Sequence, residues 1–319
     1  MNDRVRGSVV ARILCCVALA AAPLLAITSA SAQPSPCGAV WESSEVVSGL
    51  GKLENLEPDG AGGFYLAGVE RGVIYHLDAE HTVTTVATGL HAPAGLRLLG
   101  STLYFLTGDS VEANLLNLPT GALNRLDLGT GAVEVLVEGL TAPNGLLLLP
   151  DGDLLLSWAV VVGAGTGVSR YSPATATFTP NWAPVPSSNG LSLSPDHTAV
   201  YVSNSATGAF YRVPLDTPAD YTTLPSGFGP LVDAPDDFAT TDRDELYVAL
   251  NFAGKIAHYD PATGTTCDIR TGLHAPTYPP GPTSVRIAPD GDGHALYVTA
   301  STGSLYRLRP PTGIDLNPG

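Results

Sequence analysis

Short apolar runs separated by polar turns fill most of the chain, and the runs recur in kind. Six share one signature: Phe64-Tyr65-Leu66, Leu103-Tyr104-Phe105, Leu154-Leu155-Leu156, Val200-Tyr201-Val202, Leu246-Tyr247-Val248 and Leu296-Tyr297-Val298. Runs of this length and makeup, bounded by Gly, Pro and Asp, predict strands. Turns precede four of them, at Pro58-Asp59-Gly60, Pro150-Asp151-Gly152, Pro195-Asp196-His197 and Pro289-Asp290-Gly291. A third strand follows, as in Val73 to Asp78, Leu123 to Asp127 and Ile256 to Asp260, and a fourth closes on Gly-Leu at Leu90, Leu140 and Leu273. No segment beyond residue 32 shows a sustained helical period. Four short strands repeated six times predict an all-β, six-bladed β-propeller.

The repeat also predicts how the ring closes. The last unit lacks a fourth strand: after Arg307 the chain turns at Pro310-Pro311 and ends. An orphan copy of that strand, Ala39 to Leu50, precedes the first unit. Placed on the outer edge of the sixth blade, it would cover an exposed edge and join the chain ends.

The first 32 residues read as a leader. Arg4, Arg6 and Arg12 precede an apolar run from Ile13 to Ile27, and Ala30-Ser31-Ala32 offers a small-residue cleavage site. The run is too short to span a bilayer. Leu14 before Cys15 and Cys16 does not suit lipidation. The expectation is export, with cleavage after Ala32 and a single domain over 33–319. Losing the leader removes three Arg and one Asp from 15 basic and 30 acidic residues, leaving about −17. Such acidity excludes nucleic acid and anionic membrane as partners and reads either as solubility or as a cation site; a monomer is expected. Cys37 and Cys267 then remain. In an oxidising compartment such a pair is expected to bond; two buried thiols is the alternative.

The innermost strand of each blade starts beside a common axis. Aligning the repeats puts Glu54, Ala94, Asn144, Asn189, Asp236 and Ser284 there, at spacings of 40, 50, 45, 47 and 48. Glu54, Asn144, Asn189 and Asp236 bear hard oxygen donors, which suits calcium better than zinc. The competing reading takes the two Asn-Gly pairs as turns and the two acids as surface groups.

Here the chain resembles the regucalcin–gluconolactonase family (senescence marker protein, gluconolactonase and luciferin-regenerating enzyme), related to the paraoxonases and strictosidine-synthase-like proteins. The four oxygen donors, the run Ser188 to Ser194 before Val200-Tyr201-Val202, and Pro235-Asp236 carry the likeness, which spans Ala39 to Arg309. It departs at Gly145, where Asp is frequent, and Glu57 rivals Glu54. The paraoxonase likeness implies Asp237 as a further ligand.

Long loops at 107–122, 157–168 and 224–235 are expected to build an apolar pocket over the metal. Asp109, Trp158, Trp182, Phe228, Asp237 and Tyr278 are its candidate walls. His91 and His274 both occur in Gly-Leu-His-Ala-Pro; either could be a general base, as could Asp236, or both could be turn residues of the repeat. The resemblance implies a calcium-dependent hydrolase of a small-molecule lactone or ester. The alternatives are a non-catalytic binding propeller with a structural metal and, more weakly, a metal-free lyase or synthase.

Overall fold

The computed structural model describes residues 34–159, 167–274 and 281–319. The expected leader and Tyr278 lie outside these. Residues 33–319 form one compact unit.

Six four-stranded antiparallel sheets make a six-bladed propeller. The inner strands are Leu53–Pro58, Pro93–Leu99, Pro143–Leu148, Leu191–Leu193, Pro235–Thr240 and Pro282–Asp290. Each blade runs from the axis outwards in chain order, and the second strands are almost wholly buried, as their apolar runs require. The sixth blade takes its outer strand from the N-terminal side: Glu42–Val47 pairs with Leu305–Arg309, as the orphan copy predicts.

Six apolar clusters hold the ring, one at each interface between neighbouring blades. At the interface of blades 4 and 5, Phe210 packs against Phe228, Phe238 and Tyr259 with ring centres 4.8–5.7 Å apart. The cluster of blades 5 and 6 includes Trp41 from the closing segment and Ile314 and Leu316 from the C-terminal segment. That segment returns to blade 5, where Gly319 N donates to Thr240 O. Cys37 and Cys267 form a disulfide between the closing segment and the outer strand of blade 5.

Two short elements depart from the sequence reading, one of them a single 3-10 turn at Pro218–Asp220. Loop 107–122 contains a short helix, Val111–Leu116, capped by Ser110 Oγ on Ala113 N. Six residues are too few to show a helical period.

Candidate functional site

An extra residue interrupts the inner strand of five blades near its start. The register slips between Leu53 and Leu56, Pro93 and Leu96, Pro143 and Leu146, Pro235 and Phe238, and Pro282 and Ser284. Such a bulge re-aims side chains. Consecutive residues therefore reach the axis, in two layers.

The upper layer brings Glu54, Asn144, Asn189 and Asp236 to one cavity of about 160 Å³. Each is at least nine-tenths buried. The bulge corrects the alignment in blade 6: the residue equivalent to these is Thr283, not Ser284. The Asn-Gly pairs are not turns either. Gly145 and Gly190 lie outside the positive-φ region. They are glycines because a Cβ on Gly145 would strike Asn189 O, and one on Gly190 would come within 2.5 Å of Asp236 O. The second strands tie the same carbonyls: Ser157 Oγ donates to Asn189 O, and Ser203 Oγ to Asp236 O at 2.8 Å. A polar residue ending a buried apolar run was the sequence signal for these latches.

Asp109, from the blade 2 loop, joins the cavity wall. Asn144 Nδ2 donates to Glu54 Oε1 at 3.1 Å and to Asp109 Oδ2 at 3.0 Å, and Asn114 Nδ2 donates to Asp109 Oδ1 at 2.9 Å. Sequence reasoning missed Lys52, whose ammonium lies 3.1 Å from Glu54 Oε2. It is one of two lysines in the chain and stands two residues before Glu54, the signal that could have found it. It also missed Asn114, Ser188 and Asn251 on the cavity wall.

Three carboxylates thus face one ammonium. Burial alone would depress the Lys52 ammonium; Glu54, Asp109 and Asp236 hold it up, so it stays charged. Burial, then the Glu54 charge, pushes Asp109 up to about 6 and Asp236 well above the usual carboxylate range. Asn189 Oδ1 and Asp236 Oδ1 are buried and accept no hydrogen bond among the described residues. Orphaned buried oxygens are uncommon in folded proteins. Together with an excess of acids they fit a hard divalent cation.

The lower layer is fully paired. Asp237 Oδ2 accepts from Asn55 Nδ2 at 2.9 Å and Ser284 Oγ at 2.7 Å, and Arg286 Nη1 lies 2.8 Å away. Asp237 Oδ1 accepts from Phe238 N. Burial would raise this carboxyl, but Arg286 and Arg97 hold it below its usual range. Asp237, a candidate wall and ligand by sequence, belongs to this network and does not line the cavity.

Other expected walls lie elsewhere. Trp158 is buried in the cluster between blades 2 and 3, Trp182 packs at the interface of blades 3 and 4 under the Arg170 guanidinium, and Phe228 fills the interface of blades 4 and 5. Large aromatics contribute most when buried between blades. Leu231, Ala234, Phe252 and Ala159 supply the apolar wall instead. His91 is exposed in a neighbouring groove that shares Lys52 and Asp109 with the cavity. His274 is exposed, with its ring close to Gly254. Neither histidine lines the cavity.

Residues 159–302 match the family described as SMP-30/gluconolactonase/LRE-like region, in line with the resemblance read from the sequence. No curated protein matches the chain. Among solved structures, a calcium-binding protein, regucalcin, from Agrobacterium tumefaciens is 16% identical, covering 87% of this chain and 97% of its own, with a TM-score of 0.66. A gluconolactonase from Xanthomonas campestris is 17% identical, covering 85% and 90%, at 0.64. Virginiamycin B lyase from Staphylococcus aureus is 13% identical, covering 85% and 99%, at 0.57. These likenesses carry the fold, which hydrolase and lyase share.

Proposed function

We propose that this chain, an SMP-30/gluconolactonase/LRE-like propeller, is an exported, calcium-dependent hydrolase of small lactones or related esters. One observation carries the reading: the buried, unpartnered oxygens of Asn189 and Asp236 meet Glu54 and Asn144 at one cavity. These four residues would hold the ion. Glu54, Asp109 and Asp236 outnumber Lys52 by two charges, which a divalent cation offsets. When bound, the ion supplies Lewis-acid polarisation of an ester carbonyl.

The chain's own groups do the rest. A cavity near 150 Å³ takes a single six-membered ring, so a small cyclic ester fits the space. Leu231, Ala234 and Phe252 give one side an apolar wall, and Ser188 and Asn251 offer polar contacts. With both histidines outside the cavity, proton transfer from an attacking water falls to Asp236 or Asp109. Asn114 and Asn144 orient Asp109 for that role. The leader-like residues 1–32 and the disulfide support export. No helix among the described residues is long and apolar enough to cross a membrane.

The exclusion of both histidines from the cavity favours one other reading, a binding propeller with a structural ion. Elemental analysis of the purified protein, then a lactone and ester panel with and without chelator, separates the two. Hydrolysis lost on chelation, restored by calcium and cut by at least about a hundredfold in Asn189→Ala is expected. Stabilisation by calcium with no turnover on any lactone or ester would leave only the binder.

A further inference from the structure

The disulfide has a buried histidine beside it. Cys267 pairs across strands with His258, and the two sulfurs and a ring nitrogen of His258 all lie within 4.8 Å of one another. His258 is 6% exposed, yet neither ring nitrogen has a hydrogen-bond partner among the described residues. Glu245 Oε1 stands 3.6 Å from His258 Nε2, beyond hydrogen-bond length, and Glu245 Oε2 and Tyr247 OH are also unpartnered. Buried polar groups this short of partners call for an explanation. Tyr247 packs edge-on against the imidazole at 5.5 Å, with Trp41 behind it. Cys37 and Cys267 are only half-buried, so a small reductant can reach them.

We propose that reducing this disulfide creates a second metal site, in which Cys37, Cys267 and His258 bind a thiophilic divalent cation of the zinc class. A dithiol reductant gives two electrons and two protons to the S–S bond. The bond breaks into two thiols, and the reductant closes into its own disulfide. Metal binding then displaces the two thiol protons. Two thiolates and one imidazole, with water as the fourth ligand, make a tetrahedral set. With Nδ1 as the metal ligand, Glu245 would accept the Nε2 N–H, as carboxylates behind metal-bound histidines do. The site is distinct from the axial cavity in position and in donor type. It would keep the closing segment clamped to blade 5 in the reduced chain, where the covalent tie is lost.

Cobalt titration of the processed chain, residues 33–319, in which Cys37 and Cys267 are the two cysteines, tests this. The chain is reduced with dithiothreitol, freed of reductant without oxygen, and titrated with Co²⁺, then Zn²⁺. One equivalent of Co²⁺ should give thiolate-to-cobalt charge transfer and a strong tetrahedral d–d band, both bleached by Zn²⁺. The oxidised chain should give neither, because the axial donors are oxygens. Zn²⁺ should raise the Tm of the reduced wild type but not of reduced Cys37→Ser. His258→Gln should weaken cobalt binding by about tenfold or more. No charge-transfer band in the reduced wild type, or one that His258→Gln and Cys37→Ser leave unchanged, overturns the proposal. The wild-type spectra decide the matter even if a variant folds poorly.

Discussion

Asp236 and Asp237 are neighbours on one inner strand, and both are buried, yet their carboxyl groups are driven in opposite directions. Asp236 faces the cavity among like charges, with one oxygen unpartnered. Asp237 faces the floor, where Arg286, Asn55, Ser284 and Phe238 N take both its oxygens. Burial is common to both, so it does not separate them; the partners do. The floor is finished by the chain itself, and the cavity is left short of positive charge and of donors. An under-paired layer on a satisfied floor is what a ligand site looks like before its ligand is considered.

The largest effect is expected at the floor. Asp237→Ala strands Arg286 without its carboxylate and should cost about 3–5 kcal/mol in urea unfolding. Replacing both residues with Leu should recover most of that loss. If Asp237→Ala were as stable as wild type, the distinction between the layers would collapse.

The pH dependence comes next. In the metal-free protein Asp109 titrates at about 6 against 3.8 for an unperturbed Asp. The folded state therefore holds the extra proton, and the stability it lends is complete below the unfolded value and lost as pH rises through about 6, on the order of 2–3 kcal/mol. Calcium should reverse the loss, so its stabilising shift in Tm should grow from about pH 4 to about pH 7. A shift that stays flat over that range would show that the cavity acids do not meet the ion.

Gly190→Ala tests the bulge. The new Cβ must push on the Asp236 carbonyl, costing about 1–3 kcal/mol and weakening calcium binding in an equilibrium titration. Wild-type stability and affinity together would refute the close approach. The smallest effects belong to His91→Ala and His274→Ala, each expected to change kcat/KM by less than about twofold. A hundredfold loss, the usual mark of a general base, would move the proton acceptor out of the cavity.

The repeat phase was legible along the chain because strand patterning is local. The six apolar runs, the orphan outer strand and the two remaining cysteines led to the blades, the closure and a bonded pair. The four oxygen donors were legible for the same reason, since equivalent positions in a repeat meet at its axis. What patterning does not carry is register. The extra residue in the inner strands turned two consecutive positions inwards, sent Asp237 to the floor and put Thr283 where Ser284 was expected. Nor does it carry which aromatics the blade interfaces claim, so Trp158, Trp182 and Phe228 went to the core. Lys52, Asn114 and Asn251 became site residues only through proximity in space, whereas Asp109 was already legible on the loop 107–122. Local sequence thus determined which residues could reach the axis; long-range packing and charge pairing decided which of them were left without a partner there.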